Sequence, residues 1–291
     1  MYRQTGKSWV SSSLGSHLLL SKFKNKSPQT KKYEQIENTL KDRGQYKTES
    51  KLFYTNRNNL NEFECVQDAI EIDNKNRDNI MKYISSLMSS NVNFKDFTIQ
   101  LFKSEIKFIL TNISTYKDKW NRIDDSKGAI MKVYNTFNYT DDIKYEARLL
   151  ELPLPDDFKL VIITPNEVDV LCNLFNKLSR QGLTAAISSI QPLFTSICKL
   201  QEPHIRFSST FDTLQQITNI EYNLAKTEYG NVKIDEHGVS IKVFTYMCPS
   251  NNRPNDCSKL ESNNLRNTFF FGLIFKDTPI FTGQYVDVTK F

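Results

Sequence analysis

One stretch constrains this chain more than any other: residues 231–245, NVKIDEHGVSIKVFT, together with the tail from Asn267 to Val288. Val232 and Ile234 alternate with Lys233 and Asp235. After Glu236-His237-Gly238, Val239, Ile241 and Val243 alternate with Ser240 and Lys242. Period-2 alternation of β-branched residues marks a strand with one buried face. Gly238, standing between two such runs, marks a place where the backbone can bend. The reading is strand, hinge, strand. Beyond Thr245 the pattern gives way to MCPSNNRPNDCSKLESNN, a long polar, turn-forming run; loops of that length inside a compact domain are functional or lack fixed structure. Apolar strands then return as TFFFGLIF and PIFTGQYVDV.

With 291 residues, 39% of them hydrophobic, and only nine Pro and nine Gly, the chain suits one large globular domain spanning 1–291. The N-terminus, MYRQTGKSWVSSS, carries no apolar run of signal-peptide length, and no segment approaches transmembrane length. That favours a cytoplasmic chain, with secretion as the alternative if the N-terminus is truncated. The net charge of +5 is uneven. Residues 1–60 hold twelve Lys/Arg against four Asp/Glu, a net of +8, and the remainder nets −3. A basic lobe of that kind suits heparin-like polyanions or nucleic acid, and a solvated helical surface is the plainer reading. Five scattered cysteines (Cys65, Cys172, Cys198, Cys248, Cys257) form no CxxC pair, which argues against structural zinc and for reduced thiols. Cys248 and Cys257 both fall in the polar run, where a disulfide would be feasible.

Conventional catalysis has little to stand on. The histidines His17, His204 and His237 lack a partner at helical or metal spacing, no nucleophile motif accompanies them, and no Gly-rich loop would cradle a phosphate. The expectation is a protein that is not an enzyme and uses no metal or cofactor. His17, among leucines, reads as a packed histidine.

Along the chain, SWVSSSLGSHLLL (8–20) reads as a helix of small residues packed closely on something, and 31–40 as a further short helix. Residues 48–72 read as irregular or short-stranded. Ile80, Met81, Ile84, Leu87 and Met88 fall on one helical stripe within 76–90. Ile106, Phe108, Leu110 and Ile113 make a buried central strand, and two strands follow in YEARLLELPLP and FKLVIIT. Thr164-Pro165-Asn166-Glu167 is a capping box that opens a helix through Leu171, Leu174, Phe175 and Leu178. A second helix fits 183–190, a strand Pro203–Phe207, and a short helical piece Asp212–Ile220.

The hinge Ile234–Gly238, the long loop, and the closing Ile280–Asp287 resemble the reactive-loop region of serpins, the serine-protease-inhibitor family. The resemblance extends to the helix at 8–20, with Ser8 and Ser11 at the family's shutter serines, and to Lys31–Leu40. It also covers the helix across the main sheet and the pattern Asn112, Tyr116, Trp120. It runs from about Ser8 to Lys290, with the first helix truncated and the segment between Ile220 and Val232 shortened. Glu228 stands where the family prefers His. The resemblance implies an α+β serpin-like fold, with a large mixed central β-sheet, a second sheet and helices packed on the lower half. It assigns Asn112, Ser8 and Ser11 to a shutter and Glu236, Gly238, Val239, Ile241 and Val243 to the hinge. The scissile candidate is Asn252-Arg253, within a reactive-loop-like segment 236–266.

In that family a protease cuts the exposed loop, and the segment after the hinge inserts as a new strand, dragging the acylated protease with it. Small side chains past the hinge speed insertion. Here Val239-Ser240-Ile241-Lys242-Val243-Phe244 is bulky, which argues against fast insertion, while the shared face of Val239, Ile241, Val243 and Thr245 suits a stable inserted strand. A strand this ready pairs without cleavage. The expectation is a monomeric, non-inhibitory or weakly inhibitory serpin homologue that binds a protein partner. A working inhibitor of a serine protease is the alternative, and a polyanion binder through residues 1–60 a third. Abundant Lys and Asn, with the shortening, suit a viral or parasitic source and a virulence role.

Overall fold

The structure is a computed structural model, and it describes residues 7–24, 26–64, 66–73, 77–87, 107–120, 131–132, 138–142, 147–165, 199–200, 205–215, 223–235, 237–250 and 268–286. Its strands are β1 (Trp9–Ser12), β2 (Tyr46–Tyr54), β3 (Ile70–Glu71), β4 (Phe108–Lys119), β5 (Met131–Lys132), β6 (Asn138–Asp142) and β7 (Ala147–Pro153). They continue as β8 (Phe158–Pro165), β9 (Lys199–Leu200), β10 (Ile205–Gln215), β11 (Asn223–Asp235), β12 (Gly238–Ser250), β13 (Phe269–Phe275) and β14 (Thr278–Tyr285). Among the described residues the α-helices are α1 (Ser13–Leu20), α2 (Pro28–Leu40) and α3 (Arg77–Leu87).

Two six-stranded sheets organise the fold. The central one runs β10-β11-β12-β4-β2-β3 and the second β1-β14-β13-β8-β7-β6. Only the β2–β3 pair of the central sheet is parallel, so that sheet is mixed. Side chains alternate across a strand, and β12 uses both faces. Val239, Ile241 and Val243 join a core with Val232 and Ile234 of β11, Leu160, Phe271 and Phe281 of the second sheet, and Leu14 and Tyr33 of α1 and α2. On the opposite face Phe244, Tyr246 and Cys248 cluster with Tyr229, Ile109, Ile113 and Ile80 of α3. Burying each of the three β-branched residues of β12 contributes about 1.5–3 kcal/mol before chain entropy is counted.

The stretch from Asn231 to Thr245 is a β-hairpin rather than an open hinge. Asp235 pairs with Gly238, which leaves a two-residue turn, and every residue of β12 to Ser250 faces one of β11. The His237 amide donates to Asp235 Oδ1 (3.0 Å) and closes the turn. Gly238 has φ +148°, and a Cβ there would lie 2.0 Å from the Asp118 carbonyl oxygen. Only glycine meets both demands. Gly238→Ala is therefore expected to cost about 1–3 kcal/mol, read as a lower urea midpoint at an unchanged m-value.

Other expectations shift in detail. The second strand of the hairpin does not stop at Thr245: Tyr246, Met247 and Cys248 are buried in β12, so Cys248 lies in the sheet rather than in the loop. The sequence looks polar there because Pro249 and the asparagines follow at once. The stretch 48–72, read as irregular or short-stranded, begins inside the nine-residue strand Tyr46–Tyr54 beside β4; Thr48 and Ser50 interrupt its apolar alternation because they bond to β4 instead of packing. The helical piece at Asp212–Ile220 is overturned as far as Gln215, since β10 continues antiparallel to β11 through that residue. Phe211 supplies the reason: it is buried and stacks on Trp9, with ring centroids 4.5 Å apart. Ile80 is buried as the stripe implied. The helices expected after Thr164 and at 183–190 lie outside the described residues.

Candidate functional site

A row of polar side chains crosses the middle of the central sheet. In register it runs Glu228 (β11), Thr245 (β12), Asn112 (β4), Ser50 (β2). Asn112 Nδ2 donates to Thr48 Oγ1 (2.8 Å) and Ser50 Oγ (2.9 Å), and its Oδ1 accepts from Ser114 Oγ (2.7 Å). Ser114 is in turn 3.0 Å from the Tyr46 hydroxyl. Buried amides persist when their bonding capacity is filled, and strands β2 and β4 fill it here.

Glu228 is the unusual member. It is 0% exposed. Its Oε1 accepts from the Ser12 amide (3.0 Å), Thr245 Oγ1 (3.1 Å) and Ser16 Oγ (3.5 Å). Its Oε2 has no hydrogen bond of good geometry, but Lys226 Nζ stands 2.8 Å away. Lys226 also reaches Ser16 Oγ (3.2 Å) and Ser11 Oγ (3.4 Å). Ser12 is the N-cap of α1, so the carboxylate sits at the positive end of that helix. Gly15 lets α1 press onto the row: a Cβ at that position would lie 2.2 Å from Asn112 Oδ1.

His17, on the same helix, stacks on Tyr33 at 4.2 Å, and its Nδ1 is buried with no hydrogen-bond partner among the described residues. Burial, and then the nearby Lys226 cation, push its pKa down from 6.5 to about 4. The unfolded imidazole takes up a proton near 6.5 and the folded one only near 4, so the unfolded state binds more protons between those values. Stability should be full above pH 6.5 and fall by about 3 kcal/mol by pH 4. His17→Phe keeps the stack and should flatten that part of the urea-midpoint profile.

Of the residues singled out from the sequence, Asn112 lies in this row and Ser11 beside it, in contact with Lys226. Ser8 lies apart, with its Oγ accepting from the Val286 amide (2.9 Å) and donating to its carbonyl (3.3 Å). Gly238, Val239, Ile241 and Val243 all lie in β12, the last three facing the core. Glu236, Asn252 and Arg253 lie outside the described residues. Trp120 Nε1 donates to the Asp235 carbonyl (2.6 Å), bridging the ends of β4 and β11. Sequence reasoning noted Glu228 only as a departure and did not single out Lys226, Ser12 or Ser16. The available signal was the Lys226–Glu228 spacing, which puts both charges on one face of a strand otherwise meant for burial.

In the basic N-terminal region, Lys26 is paired with Glu34 (2.8 Å) and Glu64 (2.7 Å), and Lys51 with Glu49 (3.3 Å). Among the described residues, no cluster of three or more His, Cys, Asp or Glu is placed to hold a metal, and no helix is long and apolar enough to cross a membrane.

No protein-family model and no curated protein sequence matches this chain. Solved structures do. A cleaved serpin, Serpin 42Da, superposes with a TM-score of 0.66 at 17% identity, over 99% of this chain and 94% of its own. The thermophilic serpin tengpin in its latent state gives 0.63 at 13%, over 99% and 93%. The viral serpin CrmA gives 0.55 at 13%, over 86% and 97%. The chain therefore has the serpin fold, an α+β architecture.

Proposed function

We propose that this chain is a non-inhibitory or weakly inhibitory serpin-fold protein that acts by binding a protein partner rather than by trapping a protease. One observation carries the reading: in the uncut chain, the segment that a trapping serpin must keep outside the sheet is already strand β12, bonded to β11 and β4 on its two sides. A trap stores its driving force in a strand not yet inserted. Here that force is spent on folding.

The side chains of β12 support the same reading. Phe244 and Tyr246 lie in one cluster with Ile80 of α3. Tyr83 of α3 donates to Glu49, and Lys51 sits 3.9 Å over the Tyr83 ring, so α3 is fastened to β2. Threading two aromatic rings beneath a fastened helix would be slow. Insertion as the sheet first assembles meets no such obstacle. Two of the similar structures are a cleaved and a latent serpin, which agrees with this arrangement.

The test is incubation with trypsin-like and elastase-like proteases, followed by denaturing gel electrophoresis and a thermal melt. The expected result is cutting within 251–267, no covalent complex, and a melting temperature that does not rise on cleavage. A covalent complex with a bond broken at Asn252-Arg253, together with a large rise in melting temperature, would return the chain to the inhibitors. Salt-sensitive retention on heparin in the same preparation would instead bring forward the basic segment at 1–60.

A further inference from the structure

We propose that Glu228 is a bolt for β12: by accepting the Thr245 hydroxyl it fixes the register of that strand and holds it inside the central sheet. The inference deepens the reading above and rests on β12 being a resident strand.

Thr245 is the polar exception on its face of β12. The other buried residues on that face, Val239, Ile241, Val243 and Met247, are apolar. Thr245 is equally buried, at 0% exposure, and stands opposite Glu228 on one side and Asn112 on the other. A strand keeps the same side chains facing the core only if it slips by an even number of residues. A slip of two would bring Val243 or Met247 against the Glu228 carboxylate. A buried carboxylate facing an apolar side chain is heavily penalised, so one residue pair excludes the nearest alternative registers. Buried polar groups act in this way when they set register rather than add net stability.

The carboxylate cannot swing away to relieve the mismatch. The Lys226 cation stands 2.8 Å from Oε2, and the Ser12 amide and Ser16 hydroxyl, from the start of α1, donate to Oε1. The β1–α1 segment is itself tied down: the Val10 amide donates to Ser209 Oγ of β10 (3.2 Å), and β1 pairs with β14. The bolt is thus seated in both sheets, and β12 is the piece it retains. Withdrawal of β12 would remove one of the three donors to Oε1 and leave the other two with an under-bonded charge.

The experiment is amide hydrogen exchange on the full chain, comparing wild type with Thr245→Val, Thr245→Ser and Glu228→Gln. Trypsin cutting at Lys242, within β12, provides a second reading of strand release. Thr245→Val is expected to speed exchange across Val239–Tyr246 by about 10- to 100-fold, with β13 and β14 unchanged, and to open Lys242 to trypsin. Glu228→Gln should act in the same direction, and Thr245→Ser, which keeps the hydroxyl, should behave as wild type. Unchanged β12 exchange in Thr245→Val would overturn the proposal. So would equal acceleration in β12 and β13–β14, which would make Glu228 a general support, or a Thr245→Ser that exchanges like Thr245→Val. If Glu228→Gln does not fold, the two Thr245 variants still decide. Fast exchange of β12 in the wild type itself would sink the binding reading, because the strand would then not be resident; a protected wild-type β12 whose exchange ignores Thr245→Val would sink the bolt alone, so the two failures are distinguishable.

Discussion

Phe244→Ala is expected to cost about 3–5 kcal/mol, a large part of the stability of a domain this size. Phe244 is 1% exposed and lies between Tyr229 of β11 and Ile113 of β4 in register. Its ring centroid is 6.3 Å from those of both Tyr229 and Tyr246. Truncation loses the transfer free energy of the ring, leaves a cavity beneath α3, and removes two aromatic neighbours worth about 0.5–1.5 kcal/mol each. The same substitution in a solvent-exposed loop would change stability by less than about 0.5 kcal/mol. Urea unfolding therefore reports directly on whether β12 is resident. Lys242→Ala is the internal control, since Lys242 lies on the same strand but half-exposed; its midpoint should stay near that of wild type. A Phe244→Ala midpoint equally close to wild type would mean that the strand spends its time outside the sheet.

How much of this was legible in the sequence follows from which signals are local. The two strands on either side of Gly238 were legible because Val232, Ile234, Val239, Ile241 and Val243 alternate cleanly, and a one-faced strand needs nothing else to announce itself; that they close into a hairpin rather than an open hinge was not. The closing strands β13 and β14 were legible for a different reason, as short apolar runs after a long polar stretch. What the alternation could not supply was the neighbour: two flanking strands share a pattern whether they pair with each other or with a third. The central position of β12 emerges only from its register with β4. Strand β2 was obscured because Thr48 and Ser50 are polar yet face inward, a choice that makes sense only once Asn112 stands beside them. Glu228 was noted only as a departure from the family's histidine, and its burial was not foreseen. A charged residue in a strand reads as surface, and its burial depends on Lys226, two residues away, and on Ser12 and Ser16, more than two hundred residues earlier in the chain. Long-range compensation of a buried charge leaves no periodic trace.

Asn112 carries the other large expectation. Asn112→Leu should destabilise the fold by about 2–4 kcal/mol, because it takes a bond from the half-buried Thr48 and Ser50 hydroxyls and from the fully buried Ser114 hydroxyl, at about 1–3 kcal/mol for each buried group that stays unmet. Thr48 and Ser114 are 3.3 Å apart, so they recover part of the loss from each other. The amide also sets the seat of α1. Gly15→Ala drives a methyl to 2.2 Å from Asn112 Oδ1 and 2.7 Å from Ser12 Oγ, and overpacking of that kind costs about 1–3 kcal/mol. If α1 is seated by this contact, the two changes cannot be independent. In Asn112→Ala, where the amide is gone, the added methyl at Gly15 has somewhere to go, and its penalty should shrink. A double-mutant cycle read by urea midpoints is expected to give a coupling of at least about 1 kcal/mol, beyond the few tenths that separate additive sites. Strict additivity would mean that α1 rides on the sheet without being keyed to it, and the Ser12 amide would then be a movable donor to Glu228 rather than a fixed one. A coupling of the expected size makes the N-terminal helix, the polar row and β12 one mechanical unit, which is what a strand held permanently in the sheet requires.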